Sequence, residues 1–209
     1  MSMRRLAAIA LLLAACLGTA APARLPSERV VLAGGCFWGM QLVFESLRGV
    51  DRVVAGYSGG NAATAQYETV STGATGHAES IEITYDPAKI SFKQLLDVYF
   101  LVAHDPTELN RQGPDEGTQY RSEVFYASDA QRAEALAYIA RLDRERIYSS
   151  KVVTLVAPLR GFYPAEAYHQ DFAVHNPDNP YIVVNDVPKV KKLRQQFPAL
   201  VRPNAPFKS

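Results

Sequence analysis

The sequence predicts an α+β protein: a two-layer sandwich of ferredoxin-like character, with a βαββαβ core, long active-site loops and a C-terminal extension. Three observations carry this. Segments of helical and strand character follow one another as βαββαβαβ, with helices separated by single and paired strands, unlike a doubly wound sheet. The stretch "ESIEITYDP" (79–87) alternates, Ile81, Ile83 and Tyr85 against Glu82 and Thr84, as a half-buried strand does. The 209 residues are 48% hydrophobic and 21% charged, an ordinary folded composition that fits one domain with a full core.

Taken in order, "VVLAGG" (30–35) is a short apolar run ending in two glycines, a buried strand. From Phe37 the spacing turns helical, with Phe37, Met40, Val43, Phe44 and Leu47 on one face, so 37–48 reads as a helix. Cys36 therefore stands at a strand-to-helix turn. "VDRVVAGYSGG" (50–60) is a strand running into glycines, and 61–78 is loop-like. After the strand at 79–87, Ser91 caps a helix carrying Phe92, Leu95, Leu96, Tyr99 and Val102. Residues 104–120 form a long irregular segment of the kind that usually serves a site. A strand at 122–128, a helix at 129–146 and a strand at 151–159 follow. A short helix is expected at 166–174. Another is expected in "VPKVKKLRQQF", with Val190, Leu193 and Phe197 inward.

The formal net charge of +1 gives no global attraction to nucleic acid. Residues 1–20 read as an export signal. Arg4 and Arg5 precede an apolar run from Leu6 to Ala15, and "LAAC" ends at Cys16. This resembles a bacterial lipoprotein box, cleaved before Cys16 and lipidated there, with Leu17 next as in outer-membrane sorting. Cleavage after "GTA" (18–20), giving a soluble periplasmic protein, is the alternative. The apolar run falls short of the roughly 20 residues of a spanning helix. Residues 21–29 read as a linker and 30–209 as one domain with a tail.

Cys16 and Cys36 are the two cysteines. With Cys16 lipidated or removed, Cys36 has no internal disulfide partner, so it is either packed away or used chemically. A free thiol near pKa 8.5 is only about 3% thiolate at pH 7. Reaching pKa 7 takes roughly 2 kcal/mol. A helix N-terminus supplies about 0.3–1 kcal/mol, up to ~2 when partly buried. The helix is thus expected to lower the Cys36 pKa in part, with a donor or bound substrate supplying the rest. On these residues alone, a packed cysteine and a nucleophile both stand.

"GCFWG" (35–39) is similar to the signature of peptide methionine sulfoxide reductase A. "GYSGG" (56–60), "TGHAESIEITYDP" (75–87), "HDPTELNRQGPDEGTQYRS" (104–122) and "AEAYHQDF" (165–172) resemble that family's further motifs, in order, across about residues 30–180. The resemblance implies Cys36 as nucleophile and Phe37 and Trp38 as the wall around the substrate methyl group. It implies Glu79 as the acid that protonates the sulfoxide oxygen, Tyr67 and Tyr120 as phenols bonding that oxygen, and Asp115 as a buried polar residue ordering the site. Judged singly, Glu79 would instead be a solvent-facing residue at a strand start. The product would be methionine with a Cys36 sulfenic acid. The implied substrates are free and protein-bound methionine S-sulfoxide. No bound cofactor or metal is expected, nor a nucleic-acid partner, and the protein is expected to be a monomer.

Many members of that family carry resolving cysteines near the C-terminus, whose disulfide thioredoxin reduces. No cysteine follows Cys36 in this sequence. An external thiol or thioredoxin-like reductant is therefore expected to act on Cys36 directly. The tail lysines and arginine, Lys189, Lys191, Lys192 and Arg194, read as a solvated helix face, with a lipid or redox-partner contact as the alternative. Three other functions compete. A cysteine peptidase using His169 lacks the local C-G-[SA]-C-[WY] pattern. A metal module built on His169, Asp171 and His175 lacks ligand spacing, so His169 is expected to bond locally or face solvent. A non-enzymatic lipoprotein would require Cys36 to be inert.

Overall fold

The computed structural model describes residues 26–207. Its elements in chain order are β1 (Glu28–Gly34), α1 (Phe37–Glu45), β2 (Val50–Ser58), the single-turn α2 (Tyr67–Val70) and β3 (Ala78–Tyr85). Then come α3 (Phe92–Val98), the short strands β4 (Arg111–Gln112) and β5 (Asp115–Glu116), β6 (Ser122–Tyr126) and α4 (Asp129–Glu145). The chain ends with β7 (Leu155–Pro158), β8 (Phe162–Pro164), α5 (Phe172–His175) and α6 (Val187–Gln196). Cys16 and the expected export signal lie outside the described residues.

The main sheet runs β7-β6-β1-β3-β2-β8. Its middle four strands, β6-β1-β3-β2, are antiparallel and interleaved, so α1 and α3 each cross over one strand, as the expected ferredoxin-like core requires. β7 adds parallel to β6 after α4, and β8 adds antiparallel to β2. β7 and β8 thus hold opposite edges, yet only residues 159–161 separate them. Four residue steps reach at most about 14 Å, while five flat interstrand gaps span about 24 Å. The sheet must therefore curl. The connecting residues pack Leu159 and Phe162 against Val31, Ala33, Ala78 and Phe125 on its back face.

The main core lies on the front face. Val30 and Leu32 of β1, Ile81, Ile83 and Tyr85 of β3, and Phe37, Met40, Val43 and Phe44 of α1 share one cluster. Ser91 caps α3 through the Gln94 N–H, and the Gln94 side chain bonds back to the Ser91 N–H, so the expected helix start is a capping box. The C-terminal extension is an outer layer rather than a trailing tail. Ala173, Ile182 and Val190 pack on Leu42, so α1 is covered on both sides. Val190 and Leu193 face inward as expected, and Phe197 is partly buried.

Four expectations need correction. Glu28 and Arg29 are strand, not linker: they pair with Tyr85 and Thr84, and the Tyr85 hydroxyl donates to Glu28 at 2.7 Å. The strand expected at 151–159 is only Leu155–Pro158, and β8 was not foreseen. The helix expected at 166–174 is broken into a 3-10 turn, Ala167–His169, and α5, with Asp171 at φ 53° between them. Gln170 breaks it by acting as a strand: its amide oxygen accepts the Ala55 N–H at 3.0 Å and its amide nitrogen donates to the Ala55 carbonyl at 2.9 Å. The basic face is only half solvated. Lys191 and Lys192 are exposed, but Lys189 pairs with Asp186 at 3.0 Å and Arg194 donates to the carbonyls of Ala205 and Pro206.

Candidate active site

Cys36 occupies the N-cap position of α1, with φ −52° and ψ 125°. Its approach requires Gly35, whose φ is +90° and whose missing Cβ would stand 2.6 Å from the Gln112 side chain. Cys36 is 8% exposed. The helix end lowers its pKa in part, as expected, but burial outweighs it. Burial pushes the thiol well above its ordinary pKa, the charges of Glu79 and Asp186 add to that, and the Trp38 N–H of the helix end opposes them. Removing a thiolate from water costs several kcal/mol. The helix end returns at most about 2 kcal/mol. Without substrate, Cys36 is a thiol.

Glu79 lies on β3 in the same inward parity as Ile81, Ile83 and Tyr85, opposite Tyr57 of β2. It is 3% exposed, not solvent-facing. Its Oε2 accepts the Phe37 N–H at 3.0 Å, which sets the carboxyl one residue from Cys36 at the start of α1. Burial pushes its pKa up to about 8 despite that hydrogen bond, and Asp115 adds to the shift. At neutral pH Glu79 holds a proton it can give.

Tyr67 begins α2, and Tyr120 ends the turn Thr118–Tyr120. Burial raises both phenol pKa values, the Glu79 charge raises them further, and both also sense Cys36. The segments that carry them are tied together. Thr118 Oγ1 donates to the Gly73 carbonyl at 2.8 Å, and the Gln119 amide donates to the Ser71 carbonyl at 3.2 Å, across the end of α2.

Phe37 and Trp38 form an aromatic wall with centroids 6.5 Å apart. Trp38 stacks on Phe172 at 3.8 Å and meets the edge of Tyr181 at 6.0 Å. The Trp38 Nε1–H donates to His169 Nδ1 at 3.1 Å, which fixes the histidine proton on Nε2. His169 is 2% exposed, its pKa is lowered by burial, and its ring lies 4.5 Å from Tyr67 and 5.0 Å from Phe37. It is a wall residue, neither solvent-facing nor the base of a Cys–His pair. Asp115, on β5, is half-buried and accepts the Tyr181 hydroxyl. Among the described residues no group of three or more His, Cys, Asp or Glu is arranged to hold a metal ion.

Residues 28–200 match the family described as peptide methionine sulfoxide reductase. The chain belongs to the peptide methionine sulfoxide reductase family. The peptide methionine sulfoxide reductase MsrA 2 of Mesorhizobium japonicum is 58% identical over 83% of this chain and 89% of that one. The corresponding protein of Synechocystis is 52% identical over 82% and 80%. Among solved structures, the reduced form of Mxr1 from Saccharomyces cerevisiae superposes with a TM-score of 0.69 at 34% identity, covering 76% of this chain and 89% of that one. This reductase is thus an enzyme, and its substrate is methionine sulfoxide.

The tail brings residues to the candidate site that sequence reasoning did not assign. Tyr181 reaches Asp115 from 66 residues away. Asp186 is fully buried, with Oδ1 3.0 Å from Lys189 Nζ. Both lie in a run with no motif character, so nothing local signals them. Asp186 also explains Gly39: a Cβ there would sit 2.0 Å from Asp186 Oδ1. Gly39→Ala is expected to destabilise the reductase by about 1–3 kcal/mol, read as a lowered Tm. Asp186→Ala in the same background should recover part of that loss.

Proposed function

We propose that this reductase acts on methionine S-sulfoxide, free and in proteins, through Cys36 as nucleophile and Glu79 as acid. The observation that carries the reading is the Phe37 N–H to Glu79 bond, which sets a protonated carboxyl beside the Cys36 turn. The sulfoxide methyl group lies against Phe37 and Trp38, and its oxygen meets Glu79, Tyr67 and Tyr120. Cys36 sulfur attacks the sulfoxide sulfur while Glu79 protonates the oxygen. The resulting carboxylate takes the thiol proton, so Glu79 ends as it began. The transient bond between the two sulfurs and the substrate S–O bond both break, and an S–OH bond forms on Cys36. Methionine sulfur gains two electrons and Cys36 sulfur loses two. The phenols stabilise charge developing on the oxygen. Asp115, through Tyr181, holds the edge of the Trp38 wall.

Recycling uses an external thiol. One thiol displaces the sulfenic oxygen as water and leaves a mixed disulfide, and a second releases Cys36. With no cysteine after Cys36, turnover is expected to rise in proportion to dithiol concentration until chemistry limits it. A rate independent of dithiol together with an intramolecular Cys16–Cys36 disulfide would overturn this step. We also propose that the reductase is exported and lipid-anchored at Cys16, facing the periplasm, where it repairs exported proteins. The basic start, apolar run and "LAAC" support this. Mass spectrometry of the mature N-terminus tests it: an acylated Cys16 is expected, and a start at Ala21 would contradict it.

A further inference from the structure

Glu166 takes no part in the chemistry above, yet it touches two parts of the site. One carboxylate oxygen, Oε1, accepts the backbone N–H of Tyr67 at 2.9 Å. The other, Oε2, accepts the hydroxyl of Tyr57 at 2.8 Å. Tyr67 is the first residue of α2, which is four residues long. A single turn has too few internal hydrogen bonds to hold its own shape, and its first N–H groups have no partner within it. Gln66, in the N-cap position, makes no side-chain cap bond. Glu166 supplies the cap from 99 residues away.

The second contact gives the cap its reference point. Tyr57 is fully buried, pairs with Glu79 across β2 and β3, and lies 5.9 Å from the Phe37 ring. One carboxylate therefore ties the helix that carries Tyr67 to the strand position facing Glu79. Both contacts are donated to Glu166, which suits an ionised carboxylate. Partial burial opposes ionisation, but the Tyr67 N–H and the Tyr57 hydroxyl help to hold its pKa below the ordinary value.

We propose that Glu166 is a positioning residue that sets the Tyr67 phenol against the Glu79 carboxyl by joining the N-terminus of α2 to Tyr57. The proposal rests on the reading that Tyr67 serves the sulfoxide oxygen. Its consequence is that Glu166 influences the reaction only through Tyr67.

A double-mutant cycle in single turnover with methionine S-sulfoxide tests it. Tyr67→Phe is expected to slow the rate about tenfold or more, as loss of one hydrogen bond to a charged oxygen does. Glu166→Ala should slow it similarly, and the double variant should be no slower than Tyr67→Phe, within about twofold. Glu166→Gln should keep a rate within about threefold of wild type, because its amide oxygen still accepts the Tyr67 N–H and its nitrogen can donate to the Tyr57 oxygen. If Glu166→Ala yields no folded protein, Tyr57→Phe replaces it, with a smaller slowing expected only where Tyr67 is present. Slowing that multiplies in the double variant, or a wild-type rate for Glu166→Ala, overturns the proposal while leaving Tyr67 its role. A wild-type rate for Tyr67→Phe alone removes that role and the proposal with it.

Discussion

Glu79→Gln is expected to slow single turnover by about 10²- to 10⁴-fold, the usual contribution of a positioned acid. The amide still accepts the Phe37 N–H, so the start of α1 keeps its geometry while the transferable proton is lost. The same variant is expected to be more stable than wild type at high pH. The folded pKa of Glu79, about 8, lies above its ordinary 4.5, so the folded state holds the proton more tightly. That contribution is fully present below about 4.5 and is lost as pH rises through about 8. Urea unfolding should therefore give similar stabilities for the two proteins near pH 4. At pH 9 the variant should lead by up to several kcal/mol. Wild-type single turnover should decline above pH 8 as Glu79 ionises. Equal stability curves across this range would place the Glu79 carboxyl in a wetter setting than the structure does.

Cys36→Ser is expected to abolish turnover, by at least about 10⁴-fold, because a serine hydroxyl is far less nucleophilic than sulfur and its oxidised form does not exist. Its stability should fall by about 1–3 kcal/mol, the cost of burying a hydroxyl where the Cys36 thiol joins the core cluster, so the loss of turnover is read on folded protein. A Cys36→Ser protein that still reduces methionine sulfoxide would move the chemistry elsewhere. Alkylation supplies a second reading. Because burial keeps the substrate-free thiol protonated, iodoacetamide should modify wild-type Cys36 more slowly at pH 7 than it does free cysteine. Glu79→Gln, which removes the largest neighbouring charge, should speed it at pH 9.

Much of this was readable residue by residue, and the rest failed for identifiable reasons. The strand, the paired glycines and the helical spacing after Phe37 located Cys36 at its turn. The alternation of Ile81, Ile83 and Tyr85, carried back one step, puts Glu79 on the inner face, so its burial was legible although a solvent-facing strand start was the plainer reading. The direction of the Cys36 shift was not. It depends on burial and on the charges of Glu79 and Asp186, and Asp186 reaches the site from a distant part of the chain. Tyr181 and the Glu166 contacts share that difficulty, because periodicity describes one element and says little about what meets it. β8 was missed because three residues with a proline hold no period; their place follows only from the curl of the sheet.

The most direct measurement is single turnover of the purified reductase with methionine S-sulfoxide and no added thiol, followed by dimedone trapping and mass spectrometry. Close to one methionine per protein is expected, with the dimedone adduct on Cys36 and none in Cys36→Ser. No adduct on Cys36 while methionine forms, or equal methionine from Cys36→Ser, would contradict the account.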